Sequence, residues 1–85
     1  MVIYLPEYVI AIVDVFYMPG DVLKAQECSE IAKELGGALY GRESPSEYRP
    51  SVWLAFGFST AGAADVAFDA FRAIEGVHVE GPDPA

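Results

Sequence analysis

The 85-residue chain holds one cysteine, one histidine and no asparagine, and five Lys and Arg stand against thirteen Asp and Glu. Each scarcity removes a chemistry. A lone Cys28 cannot close an internal disulfide or supply a zinc or iron–sulfur thiolate cluster within one chain. It also excludes the cysteine pair of a metallochaperone. An acyl-phosphate hydrolase of this size needs an Arg-bearing phosphate loop after its first strand and an Asn that orients water. Here that loop reads Met18-Pro19-Gly20-Asp21 and Asn is missing. Gly36-Gly37 and Gly41 lack the spacing and the Lys of a nucleotide loop. A formal net charge of −8 repels nucleic-acid phosphates and anionic lipid, so neither direct nucleic-acid binding nor membrane binding is expected. No apolar run approaches the roughly 18 residues of a membrane span. The stretch before Pro6 has no basic residue and is too short for a signal peptide, which makes a cytoplasmic location the expectation.

What is present is apolar. Hydrophobic residues make up 53% and aromatics 13%, enough for a packed core and unlike a disordered chain. The length allows one domain.

Residues 7–17 are rich in β-branched and aromatic side chains and read as a strand. Met18-Pro19-Gly20 is a turn, and Asp21 is placed to cap the helix that follows. In that helix Ala25, Cys28, Ala32 and Leu35 form one stripe, ended by Gly36-Gly37. A second strand is expected at 38–43, and the polar segment 41–50, with two prolines, has a loop at its centre. Residues 51–58, SVWLAFGF, read as a third strand. Ser59 or Thr60 caps a second helix striped by Ala64, Ala67, Phe68, Phe71 and Ile74. Val77–Glu80 is a short fourth strand. Residues 1–80 are thus expected to form the domain and GPDPA, 81–85, a disordered tail.

The order βαββαβ predicts an α+β, ferredoxin-like sandwich: a four-stranded antiparallel sheet with two helices on one face. Right-handed crossovers place the first and third strands at its centre. Strand parity then assigns the faces. Asp14 would be costly between sheet and helices, so Val9, Ala11, Val13 and Val15 should face the helices. Ile10, Ile12, Asp14 and Phe16 should face away, joined by Trp53 from the third strand, Tyr40 and Arg42 from the second, and His78 from the fourth. At ~25 cal/mol per Å², covering about 400 Å² of such a face would contribute roughly 10 kcal/mol before association costs. A second copy of the chain is the expected cover, making the protein a homodimer.

The outer helical surfaces carry Glu27, Glu30 and Glu34 on the first helix and Asp65 and Asp69 on the second. Such faces are ordinary on amphipathic helices, and they also suit a partner with a basic surface. The expected function is therefore a non-enzymatic, acidic protein-binding module. A phage-type inhibitor occupying a basic, nucleic-acid-binding site is one such role. Cys28 reads as a small apolar core filler, and Tyr48 as an exposed aromatic contact in the loop. Neither a cofactor nor a metal is implied.

The element order and the stretch VFYMPG before a helix also resemble the dimeric α/β-barrel proteins, among them the small antibiotic-biosynthesis monooxygenases. That resemblance implies a pocket where sheet faces meet. In this alternative the protein is a small enzyme or ligand-binding protein, with His78 and Asp14 as the acid–base pair and Trp53 and Tyr40 stacking on a flat ligand.

Overall fold

The alternation of Ala11, Val13, Val15 and Tyr17 with partly exposed residues between them builds β1 (Ala11–Tyr17), the strand around which the domain is organised. A computed structural model describes residues 9–85. Residues 7 and 8 of the expected first strand, and the segment weighed as a signal peptide, lie outside the described residues. After β1 come α1 (Lys24–Glu34), β2 (Ala38–Glu43), β3 (Val52–Phe58), α2 (Ala61–Arg72) and β4 (His78–Pro84). The sheet order is β2-β3-β1-β4, and all pairings are antiparallel. This is the ferredoxin-like βαββαβ arrangement, with β1 and β3 central.

Both helices pack against one face. Val13, Val15, Leu54, Phe56 and Phe58 from the sheet share a core with Cys28 and Ala32 of α1 and with Ala64, Ala67 and Phe71 of α2. The Phe56 and Phe71 rings meet at 5.4 Å, locking α2 onto β3. The small residues on the helical stripes let the aromatic rings of the sheet fill the space between the layers.

The helix ends show where local signals hold. Thr60 caps α2, its hydroxyl accepting from the Ala63 N–H at 3.1 Å. Asp21 does not cap α1. The chain makes two successive turns after β1, with the Asp21 N–H on Met18 O and the Lys24 N–H on Asp21 O, so the cap falls on Leu23 and has no side-chain bond. Gly36, at φ 78°, ends α1 as expected, and the Gly37 N–H returns to Ala32 O at 2.7 Å.

The tail expectation is corrected. β4 continues through residues 81–84, pairing Asp83 with Ile12 and Pro84 with Ala11, and the Ala85 N–H reaches Ile10 O at 3.2 Å. Two circumstances let prolines join the sheet. β4 is an edge strand, where a missing N–H costs no ladder bond on its outer side. A register shift between Ile12 and Asp14 accommodates Gly81 at φ 104°, a conformation that favours glycine.

Candidate binding surfaces

On the sheet face away from the helices, register brings Phe16 opposite both Trp53 and His78, and Asp14 opposite Ala55 and Glu80. The Trp53 indole does not stand out from this face. Its Nε1 donates to Asp14 Oδ1 at 2.9 Å, while its six-membered ring lies against Gly41 on β2, where an added Cβ would come within 3.0 Å of the ring. One side chain thus spans β1, β3 and β2 and covers Ala55, which is buried on the face opposite the helices. Asp14 is the polar end of that span. A carboxylate suits the position because it accepts the indole N–H at the sheet centre and remains partly exposed.

Around this plate the face is open and mixed: apolar side chains lie at its centre, with Glu43 opposite Trp53, Glu80 opposite Asp14 and Asp83 opposite Ile12 on the flanking strands. Ile10 is 51% exposed and Tyr40 45%, while Ile12, Phe16 and Trp53 are partly buried. Val9 departs from strict alternation. Its side chain lies over Gly57, close to Tyr40, so it joins the open face and not the helical core. Ile12, Asp14, Phe16, Trp53 and Tyr40 therefore share the face assigned to them, while Ile10 precedes the paired register and is exposed at the start of the strand. Arg42 does not share that face. A bulge at Tyr40 shifts the register of β2, pairing Arg42 with Leu54 on the helix side and Glu43 with Trp53 on the open side.

The acid–base pair of the enzyme alternative is not assembled. His78 Nε2 lies 3.0 Å from Glu80 Oε2, two residues along the same strand, and its ring tilts against Phe16 at 5.8 Å. Asp14 is committed to Trp53. Sequence reasoning missed Glu80, although its spacing from His78 put it on the same face. It also missed Arg49, whose Nη1 meets Glu43 Oε1 at 2.8 Å while Nε and Nη2 donate to Ser51 O and Ser44 O. The opposite charges of Glu43 and Arg49 on the two sides of a short loop were the available signal. The loop between them is tied by Ser46, whose hydroxyl accepts from the Tyr48 and Arg49 N–H groups, and Tyr48 is 90% exposed.

The helical surface is acidic as expected. Glu27, Glu30, Glu34, Asp65 and Asp69 are all exposed. Glu27 has a partner in Lys24 at 3.7 Å and Glu30 accepts from Gln26, but among the described residues the other three form no salt bridge. Arg72 lies over the Phe68 ring at 5.5 Å and, among the described residues, forms no salt bridge with these carboxylates. Cys28 is fully buried, and burial pushes its thiol from 9.0 up to about 11, with Glu27 adding to the rise and Lys24 opposing it.

Among the described residues no cluster of three or more His, Cys, Asp or Glu could hold a metal ion, and no helix is long and apolar enough to cross a membrane. The sequence matches no protein-family model and no curated protein significantly.

Proposed function

We propose that the protein is a non-enzymatic binding module that self-associates through its open sheet face and presents its acidic helices to a basic partner. The observation that carries this reading is the apolar set of Tyr40, exposed, and Ile12 and Phe16, partly exposed, around the Trp53 plate, on the face opposite both helices. A soluble chain gains by covering such a patch. Four strands about 4.8 Å apart, three of seven residues and one of six at ~3.3 Å each, give a face of about 430 Å². Two such faces bury roughly 900 Å², at the small end of specific interfaces, so the dimer is reversible and weak. Light scattering across a concentration series tests it, with a mass rising toward twice the monomer expected and a constant monomer mass opposing it.

The acidic surface supports the second half of the proposal. Exposed carboxylates that outnumber the basic residues of the same helices strengthen long-range attraction to a basic site, including one that normally holds nucleic acid, as a phage-type inhibitor would require. Glu27→Lys with Glu30→Lys should weaken binding to a basic partner, and added salt should weaken the wild-type complex. Retention on immobilised polylysine gives the first measurement, and indifference to the double substitution removes this half. The commitment of Asp14 to Trp53 favours binding over catalysis. A cytoplasmic setting accords with a single thiol held inside the core.

A further inference from the structure

Where β1 runs into its turn, the open face ends in a cleft of about 530 Å³. Phe16, Met18 and Val77 give it apolar walls, and Arg49, His78 and Glu80 supply its polar groups. We propose that this cleft binds a small aryl carboxylate, with the ring against Phe16 and Met18 and the carboxylate on Arg49.

Three observations carry the assignment. The volume falls within the ~300–1,000 Å³ of small-molecule sites, with the expected mixture of apolar lining and few polar groups. Arg49 is fixed in advance by Glu43 and by the Ser44 and Ser51 carbonyls. Those bonds use three of its N–H donors and leave one on each terminal nitrogen, so a planar carboxylate meets a guanidinium that needs no further ordering. The carboxylates at the cleft are engaged: Glu43 is paired with Arg49 and Glu80 hydrogen-bonds with His78, while Glu27, Glu30, Glu34, Asp65 and Asp69 sit on the helices at the other side of the sheet.

The flat apolar walls select a ring. The Phe16 and His78 rings are in tilted contact, with centroids 5.8 Å and planes 42° apart, so together they offer an aromatic surface on which a ring can lie, and Met18, 54% exposed, has the flexible thioether to close over it.

This inference stands apart from self-association, and the experiment keeps the two separate. Amide NMR shifts are followed during titration with 2-naphthoate, neutral 2-naphthamide and cationic 2-naphthylmethylamine, on the wild type and on the Ile12→Glu variant, which disfavours a second copy on the face. Saturable shifts at Phe16, Met18, Arg49 and His78 are expected, with naphthoate binding about tenfold more tightly than the amide, the margin of a charge-assisted hydrogen bond. Arg49→Gln should remove that preference while leaving the ring contacts. Equal affinity for acid and amide, tighter binding of the amine, or shifts elsewhere would overturn the assignment. If Arg49→Gln disturbs the loop, the acid-to-amide ratio on the unsubstituted protein decides alone.

Discussion

The Trp53 indole N–H donates to Asp14 Oδ1 at 2.9 Å, fastening β3 to β1 on the face away from the helices. The single carboxylate in an apolar strand is thereby an anchor for the largest side chain of the chain. Replacing Asp14 by Ala should lower stability by about 1–2 kcal/mol, the worth of a part-exposed hydrogen bond to a charged acceptor. Asn, which keeps an acceptor oxygen, should recover most of it. Urea unfolding measures both, and equal stability of the Ala and Asn variants would contradict the anchoring role.

Gly41 provides the floor beneath the same ring. A branched side chain there cannot fit at the 3.0 Å available to a Cβ without lifting the indole. Gly41→Val should cost roughly 1–3 kcal/mol and move Trp53 toward solvent, seen as a red shift in its fluorescence. An unshifted emission maximum would mean that the ring is not seated on β2.

The C-terminal residues are part of the sheet, so their removal is costly. Cutting the chain after Glu80 deletes the partners of Ala11 and Ile12 and should lower the unfolding midpoint, as should Gly81→Ala, whose Cβ would stand 2.9 Å from Ile12 O at a φ of 104°. Unchanged midpoints in both variants would return these residues to a frayed tail.

Cys28 makes stability depend on alkaline pH. Its thiol releases a proton near 9.0 in the unfolded chain and near 11 in the folded one, so between these values the native state holds the extra proton. Stability therefore falls as pH rises through that window and is unaffected by this group below it. The alkaline slope should be shallower in Cys28→Ala, and alkylation of the native thiol should be slow. Identical slopes would show that burial does not hold the proton.

The order of elements was legible because each rests on a local signal: the β-branched and aromatic runs of β1 and β3, the Thr60 cap, and the glycine ending α1. Parity also placed Ile12, Asp14, Phe16 and Trp53 together, since a strand has only two faces. What escaped was register. The bulge at Tyr40 carries no sequence mark, yet it turns Arg42 to the helix side and brings Glu43 to the open side. The enzyme alternative pairs Asp14 with His78. The partner of Asp14 is decided by Ala55 opposite it, which is small enough for the diagonal Trp53 ring to cross. The two prolines of the tail read as breakers and are harmless on an edge.

Self-association through the open face is the central claim, and sedimentation equilibrium on the wild type, Ile12→Glu and Glu30→Lys tests it most directly. The account predicts a reversible dimer with a dissociation constant of about micromolar or weaker, abolished by the charge at Ile12 and unaffected by the change at Glu30. A wild type that remains monomeric at about 1 mM, or a dimer lost on changing Glu30 but not Ile12, would contradict it.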